Sequence, residues 1–438
     1  MTTDHRITRE VPKRTLRLGQ ILNMNVGFFG IQFGFGLQQG NMSPIYKYLG
    51  ADDAALPVLW LAGPVTGLLI QPLIGALSDR TTSRFGRRTP YFVVGALLCS
   101  VCLFVMPNSG TLWMAAGLLW MLDAAANVAM EPYRAFVNDM LDPAQRAVGY
   151  MVQSAFTGLS QTAAYLIPSF LILMGMRADR MNAHGLPSIV EIAFTVGGVV
   201  SVASVAWSVY TTREAPAATV ADAPISIRAA FVDVYDAVRD MPAAMRQLGA
   251  MMLFQWYAMF CYWQYVALSL SRTLYGTTDA HDPHFLDAVL LSGRIGGFYN
   301  FIAFVAGFAL LPLLPKFGPA RLHTGALLLG GLGIAVVPMI SNPWLLLVPM
   351  VGLGLAWASM MGNPYAMLSA AIPQARAGVY MGIFNTFIVI PMLVEVFSVR
   401  ALYRVLGNDP RHILVLAGVA LCVAGLLALR VRVPPVPA

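Results

Sequence analysis

Apolar residues run along most of this chain in long blocks, and short polar stretches separate the blocks. A block of about 20 apolar residues is long enough for a helix to cross a bilayer. Backbone groups in lipid must be bonded within their own segment, so each block is predicted to be an α-helix. The predicted spans are residues 18–43, 56–78, 90–107, 112–134, 147–174, 188–211, 247–270, 288–314, 324–341, 343–370, 377–402 and 411–430. The pattern therefore predicts an all-α membrane protein with twelve transmembrane helices.

The composition excludes a soluble globular protein. Of the 438 residues, 58% are hydrophobic and only 11% are charged, which is too few charges to cover a soluble surface of this size. The N-terminal stretch is polar for too long to be a cleavable signal peptide, so we expect the first span to stay. The four cysteines lie inside apolar runs, which favours packed thiols over disulfides. No metal-ligand spacing is visible, and we expect neither a metal nor a cofactor.

The basic residues predict how the chain is oriented. With twelve spans, 20 of the 28 Lys and Arg residues fall on the side of the two termini and eight on the other side. The positive-inside rule then places both termini in the cytoplasm, although Arg400, Arg404 and Arg411 oppose it. This distribution explains the net charge of +7 without a nucleic-acid partner.

An internal repeat predicts two related halves. The segment "PAQRAVGYM" (143–151) aligns without a gap to "PQARAGVYM" (373–381), and each copy lies between the fourth and fifth span of its half. We therefore predict two pseudo-symmetric six-helix bundles, 1–211 and 247–438, joined by a cytoplasmic linker with an amphipathic helix at 212–246. Such a parallel repeat is typical of transporters whose substrate site lies between the halves. We expect the cavity between spans 1, 4 and 5 and spans 7, 8, 10 and 11.

The loop "GALSDRTTSRFGRR" (75–88) is the most specific motif. Its spacing predicts a gate in which an acid pairs with an arginine or a helix N-terminus and a glycine allows a tight turn. A basic loop that only obeys the positive-inside rule would explain the arginines but not the glycines and the acid. For the arginine at the end of span four, a structural pair with Glu131 or Asp139 competes with a transport role. The candidate gating residues are Gly75, Asp79, Arg80, Gly86, Arg87, Arg88 and Arg134.

This loop resembles the signature of the major facilitator superfamily. Its sequence, "SDRTTSRFGRRTPYF", is similar to that of one branch in particular, the sucrose transporters of plants and their bacterial and animal relatives. The members of this branch are sugar–proton symporters. The resemblance extends to "GIQFGFGLQQGNMSPIYKYLG" (30–50), "LWLAGPVTGLLIQPLIG" (59–75), "WMLDAAANVAMEPYRAF" (120–136) and "MGIFNTFIVIP" (381–391). The chain departs from the plant members at Val266 and Thr273, where they carry acids, and at Asp53, where they carry a histidine.

Two acids in the spans are candidates for proton coupling. Asp123, Asn127 and Arg134 share one face of their helix, because 11 residues at 100° each return nearly to the start. Burial favours the protonated carboxyl, and contact with water makes the anion accessible, which is the cycle that a proton carrier needs. The resemblance implies this role for Asp123. A structural Asp bonded to a helix end is the alternative, and Glu395 is the main rival site.

Amides and aromatic rings in several spans could bind a sugar. Some of these side chains could instead bond other helices, the rings could form an interfacial belt, and the arginine could snorkel to the surface. The candidate substrate-binding residues are Gln32, Gln38, Gln39, Asp123, Asn127, Gln153, Gln161, Gln255, Trp256, Arg294 and Asn385.

The resemblance implies a proton-coupled importer of a disaccharide or glucoside such as sucrose or maltose. A uniporter, a carrier of another polyhydroxylated solute and a transporter-like membrane sensor are the alternatives. The sequence carries no nucleophile elbow or phosphate-binding loop, so we do not expect an enzyme. The expected partners are the sugar, protons and the bilayer, and we expect a monomer in the plasma membrane, which is the inner membrane in a bacterium.

Overall fold

The computed structural model describes residues 15–214, 235, 236, 238–372 and 377–431. Within this part, twelve long helices confirm the predicted all-α architecture. They are α1 (Leu18–Tyr48), α2 (Ala62–Arg80), α3 (Thr89–Val105), α4 (Leu112–Met140), α5 (Pro143–Leu173), α6 (Ser188–Thr211), α7 (Ala243–Tyr275), α8 (Pro283–Ala309), α9 (Pro319–Val336), α10 (Leu347–Ala371), α11 (Ala377–Val405) and α12 (Pro410–Ala428). In the described residues, nine of the twelve are long and apolar enough to cross a membrane; α1, α7 and α10 are not among the nine.

Prolines explain where the helices depart from the predicted spans. Helix α1 continues through Pro44 to Tyr48, although the predicted span ended at residue 43. Conversely, α8 ends at Ala309 rather than 314, and a short turn and a four-residue helix (Leu314–Phe317) follow in a segment that contains Pro312. Proline lacks the amide hydrogen that continues a helix, which favours the end of α8 before Pro312, whereas α1 accommodates Pro44 in its last turns. The predicted span 56–78 is also divided, into Leu56–Leu59 and α2.

The helices pack as two bundles related by a pseudo-twofold axis. In the first bundle α1 packs on α5 and α6, and in the second α7 packs on α11 and α12 in the same way. The α3 contacts with α4 and α6 likewise match the α9 contacts with α10 and α12, and the α2–α4 pair matches α8–α10. Contacts between the bundles follow the same symmetry, because α5 packs on α8 and α2 packs on α11.

We call the face at which α1 begins and α12 ends the terminus face and the opposite one the distal face. Aromatic rings join the bundles near the distal face, where Tyr48 lies edge-on to Phe285 with ring centroids 5.5 Å apart. Trp60 contacts Phe260 in the same manner at 6.1 Å. Asp53 adds polar contacts there: its carboxylate accepts a hydrogen bond from the Tyr403 hydroxyl at 3.0 Å.

Several predicted features lie outside the described residues. These are most of the predicted amphipathic helix in 212–246, residues 373–376 of the second repeat copy, and both ends of the chain. Helix α2 includes Asp79 and Arg80, but their side chains are not among those described.

Candidate functional site

Asp123 is the centre of a buried polar cluster in the first bundle. It lies near the middle of α4 and is only 2% exposed. Its Oδ1 accepts a hydrogen bond of 2.8 Å from the Gln38 amide of α1, whereas its Oδ2 has no hydrogen-bond partner among the described residues. The backbone of α2 comes close at Gly63, where an added Cβ would stand 3.6 Å from Oδ2. One carboxylate oxygen is therefore held and the other is left available.

Asn127, one turn further along α4, connects this acid to α2. Its amide nitrogen donates to the Thr66 hydroxyl at 3.2 Å and to the Asp123 carbonyl oxygen at 2.9 Å. Its oxygen accepts a hydrogen bond of 2.8 Å from Gln71, which is half-buried. The structure thus brings Asp123, Gln38 and Asn127 together, and it adds Gln71 and Thr66, which sequence reasoning missed.

Three more of the candidate amides bond neighbouring helices. Gln161 of α5 donates to Gln32 of α1 at 3.3 Å. Gln32 in turn points its amide nitrogen at the sulfur of Met130 at 3.6 Å. Gln153 donates to the backbone carbonyl of Tyr133 at 3.3 Å. These bonds tie α1, α4 and α5 together on the same side of the first bundle.

The second bundle contains a polar chain of which sequence reasoning predicted only Gln255. His323 of α9 is fully buried, with its Nε2 2.9 Å from the Gln255 oxygen and its Nδ1 2.8 Å from the Ser359 hydroxyl. Asn363 donates to Ser359 at 2.7 Å. Because an amide oxygen only accepts, Nε2 carries the proton and Ser359 donates to Nδ1. A single histidine in an apolar run gave no signal in the sequence.

The second buried acid, Glu395 of α11, is bonded to α7. Its Oε2 accepts from the Gln264 amide at 3.1 Å, and the Cys261 thiol lies 3.9 Å from its Oε1. Asn385, which lies almost three turns earlier on α11, is exposed. Trp256 packs against Trp263 and Trp357 instead of facing a polar group, with ring centroids 6.5 and 6.0 Å apart.

Tyrosines surround a small cavity where the bundles meet. Gln39 lines it together with Tyr165, Tyr262 and Tyr299, and its amide oxygen is buried without a partner. The Trp263 indole donates to the Tyr299 hydroxyl at 3.2 Å. Tyr165 and Tyr299 were not predicted, because aromatic residues in a membrane span do not reveal which face they occupy.

The structure places Arg294 away from these groups. It is exposed on α8, and its guanidinium donates to the Ser169 hydroxyl of α5 at 3.2 Å. Arg134, at the other end of the molecule, is exposed as well and pairs with Glu131 at 3.5 Å. Of the two acids that the sequence offered as its partner, the structure selects Glu131.

The loop before α3 is held by a residue that the motif did not predict. The Glu214 carboxylate accepts hydrogen bonds of 2.9–3.1 Å from the backbone amides of Arg87, Arg88 and Thr89. It therefore caps the N-terminus of α3, where a negative charge is favourable. Gly86 has a φ of +95°, and an added Cβ would stand 2.2 Å from Glu214, so both its conformation and the space around it require glycine.

The two arginines of this loop share one acid. Arg87 and Arg88 both donate to Asp139 at the end of α4, the latter at 2.8 Å, and Arg88 also donates to Ser78 at 2.6 Å. Burial raises the pKa of the Asp139 carboxyl, but the hydrogen bonds and charges of the arginines outweigh it and hold this pKa below its usual range.

The described residues contain no cluster of three or more His, Cys, Asp or Glu side chains that could hold a metal ion. All four cysteines are free thiols; three are buried and Cys422 is half-buried.

Curated relatives of the chain are sugar transporters. The Sucrose transport protein SUC4 of Arabidopsis thaliana is 34% identical over 161 residues, which are 32% of this chain and 31% of that protein. The Sucrose transport protein SUT5 of Oryza sativa subsp. indica is 26% identical over 306 residues, or 61% of this chain and 56% of that protein. The human Proton-associated sugar transporter A is 30% identical over 171 residues, 36% of this chain and 23% of that protein. The chain thus spans about a quarter to just over half of the length of these relatives.

Solved structures share the fold across nearly the whole chain. A bacterial homologue of the human lysosomal transporter Spinster, in an inward-facing and unoccupied conformation, has a TM-score of 0.65 at 15% identity, with 96% of this chain and 99% of that chain covered. A point mutant of the nucleoside transporter NupG has a TM-score of 0.69 at 12% identity, with 94% and 99% covered. The model of the Major Facilitator Superfamily matches residues 24–394. The chain therefore belongs to the major facilitator superfamily, a family of transporters rather than enzymes.

Proposed function

We propose that the protein is a proton-coupled sugar importer. It moves a disaccharide or glucoside, such as sucrose or maltose, by alternating access between its two halves, 1–211 and 247–438, which residues 212–246 join. The observation that carries the proposal is Asp123, a buried acid in the middle of α4 with one oxygen bonded to Gln38 and the other without a partner. The arrangement supports a carboxyl that can both exchange a proton and bond a substrate hydroxyl.

The proton step follows from burial and solvation. When the site is closed to water, the neutral carboxyl is favoured, so Asp123 holds a proton that it received from the distal side. When water reaches it from the terminus side, the anion is solvated and the proton is released there. Asn127 bonds the backbone carbonyl of Asp123 and accepts a hydrogen bond from half-buried Gln71, and we propose that water reaches the carboxyl along these amides. Glu395 is the alternative proton site to Asp123.

A sugar suits the polar groups around this acid. Amides offer a donor and an acceptor to each sugar hydroxyl, and an aromatic ring can stack on the apolar face of a sugar ring. Gln32, Gln39 and Gln161 of the first bundle and the tyrosines of the small cavity are the proposed contacts. The names of the relatives, which are sucrose transport proteins and a proton-associated sugar transporter, support the same substrate class.

Because the chain departs from plant sucrose carriers, the proposed substrate is the class of glucosides rather than sucrose in particular. Asp53 stands where those carriers have a histidine, and here it bonds Tyr403 of the second bundle and pairs with Lys47 at 2.5 Å. The presence of Asp53 instead of histidine is therefore explained equally well by this contact between the bundles near the distal face and by a different substrate.

These contacts near the distal face support a state in which the site is closed on that side. With the positive-inside rule, we propose that the terminus face is cytoplasmic, that the protein lies in the plasma membrane, and that it works as a monomer.

Uptake into proteoliposomes tests the function. Purified protein is reconstituted, and accumulation of labelled sucrose, maltose and aryl glucosides is measured with an inward proton gradient, without one, and with a protonophore. We expect at least one of these sugars to accumulate only with the gradient. Sugar entry that equilibrates but never exceeds the outside concentration would identify a uniporter, and no entry of any sugar would contradict the proposed substrate class.

A further inference from the structure

Arg294 is a charged residue within the apolar part of α8. It follows the first residue of this 27-residue helix by 11 positions, which corresponds to about 16 Å along the axis. The helix is about 40 Å long and the hydrocarbon layer about 30 Å thick, so a centred α8 places the Arg294 backbone about 10 Å inside the hydrocarbon. An extended arginine side chain spans most of that distance, so the guanidinium lies just inside the distal edge of the hydrocarbon. A lipid headgroup drawn a few Å inward by local thinning of the bilayer can meet it there.

The protein leaves this cation without a counter-ion. Among the described residues no carboxylate lies within ion-pair distance of Arg294, and its one hydrogen bond goes to the neutral Ser169 hydroxyl. Arginine does not lose its charge in a protein, so the charge must be met by something outside the chain.

A groove runs beside the guanidinium along the seam between the bundles. It is open to its surroundings and is formed by α5, α8, the segment before α10 and the first residue of α10. Apart from Arg294 and Thr162 its walls are apolar, and the lining includes Leu166, Phe298 and Phe301. One cation in an otherwise apolar groove matches an amphiphile that has a negative head and a hydrocarbon tail.

We propose that this groove binds one glycerophospholipid with an anionic headgroup. The phosphate accepts hydrogen bonds from the Arg294 guanidinium, whose planar fork fits two phosphate oxygens, and the Ser169 hydroxyl lies beside it. An acyl chain follows the groove along Leu166 and Phe298. This site is independent of the sugar site around Asp123.

The position of the groove links the lipid to the transport cycle. Its walls come from α5 of the first bundle and α8 of the second, which pack closely where Tyr165 meets Gly296. A lipid that contacts both helices is bound only while they stay together, so it favours the state that is closed near the distal face.

Native mass spectrometry of the full chain tests the site. The protein is released from nanodiscs that contain equal amounts of phosphatidylglycerol and phosphatidylcholine, and the lipids that remain bound are counted. Wild type should retain one phosphatidylglycerol in preference to phosphatidylcholine. Arg294→Gln should reduce that retention about fivefold, the effect of one cation near an anionic lipid surface. Arg294→Lys should keep part of it, and millimolar inorganic phosphate should not displace the lipid.

The control is Arg177→Gln, which removes an equally charged side chain from an exposed pair with Asp179 on the distal face. It should leave retention unchanged. Equal retention of the two lipids by wild type, equal loss in the two Gln variants, or displacement by inorganic phosphate would each overturn the proposal. If Arg294→Gln does not fold, the lipid preference of wild type and the result for Arg294→Lys still decide it.

Discussion

The two bundles each bury one acid against their first helix, but they bond its carboxyl differently. Asp123 of α4 is bonded by Gln38 of α1, and Glu395 of α11 is bonded by Gln264 of α7. The two glutamines occupy the same level, because each lies about 20 residues from the start of its helix. Asp123 has an oxygen without a partner, whereas each oxygen of Glu395 faces a group of α7, either an amide or the Cys261 thiol.

The surroundings of the two acids are alike. The backbone carbonyl of each accepts a hydrogen bond from a polar side chain one turn away, from Asn127 for Asp123 and from Ser398 for Glu395. These side chains continue to Gln71 and to Tyr257, which are both half-buried. The difference therefore lies in the carboxyl oxygens themselves, and it supports the proposal that Asp123 exchanges a proton and that Glu395 holds α7 and α11 together.

The largest effect is expected from Asp123→Asn. The amide keeps the size and can still bond Gln38, but it has no titratable proton, so accumulation driven by a pH gradient should be abolished. Exchange of labelled for unlabelled sugar should survive, because it needs no net proton movement. Uptake and counterflow in the same proteoliposomes measure the two activities.

The matched control is Asp287→Asn, which changes an exposed acid on the distal side of α8. It should accumulate sugar as the wild type does. If Asp123→Asn still concentrates sugar when a pH gradient is the sole driving force, the proton site is elsewhere.

A smaller effect is expected from Glu395→Gln. The new amide can accept the hydrogen bond from Gln264, so the contact between α7 and α11 is largely kept. We expect accumulation to persist at a rate reduced by no more than about tenfold, which corresponds to about 1.4 kcal/mol in the barrier. Initial rates across a range of pH gradients measure it. Loss of accumulation here, together with its survival in Asp123→Asn, would exchange the roles of the two acids.

The sequence predicted the helices well, because a membrane span can be recognised from its length and its hydropathy. It also made Asp123 a candidate, because an acid within an apolar run is costly, and the structure places that acid in the buried interior. It did not predict His323 or Tyr165, because a residue that is common in packed spans shows its role only through its partners. Glu214 was missed for a different reason. It caps α3 from 125 residues away in the sequence, and a contact between such distant residues leaves no local sequence pattern.

The loops at the terminus face give a second comparison between the bundles. "RFGRR" (84–88) has its counterpart in "KFGPAR" (316–321), and Gly86 and Gly318 occupy the same place with φ of +95° and +75°. Around Gly86 the Glu214 carboxylate and the arginine pairs to Asp139 fix the loop, whereas nothing lies within 4 Å of a Cβ added at Gly318. The first loop is therefore held by specific contacts that the second does not share at this position.

Asp139→Asn should weaken the first loop by about 1 kcal/mol, the value of a partly screened charged hydrogen bond. Because the pKa of Asp139 is lowered in the folded protein, its contribution is present above the unfolded pKa of about 3.9 and is lost as pH falls through the lower folded value. The difference in Tm between wild type and variant should therefore be constant from neutral pH to about pH 5 and shrink in stronger acid.

The exposed pair on the distal face provides the control, since Asp179→Asn should change Tm little at any pH. A Tm difference for Asp139→Asn that grew on acidification would contradict the assignment of the arginine pairs.

The smallest effect separates backbone strain from the Glu214 contact. Gly86→Ala forces an alanine to a positive φ, which costs about 1–2 kcal/mol. It also pushes the Glu214 carboxylate away from the backbone amides of Arg87, Arg88 and Thr89. Gly318 offers no matched comparison, because its φ of 75° and ψ of 159° lie in a region that is essentially restricted to glycine. In a Glu214→Ala background, where the carboxylate is already absent, Gly86→Ala should lower Tm less than it does in the wild type. If Gly86→Ala costs as much in that background as in wild type, Glu214 is not what distinguishes the two loops, and the asymmetry between the bundles at this face rests on the arginines alone.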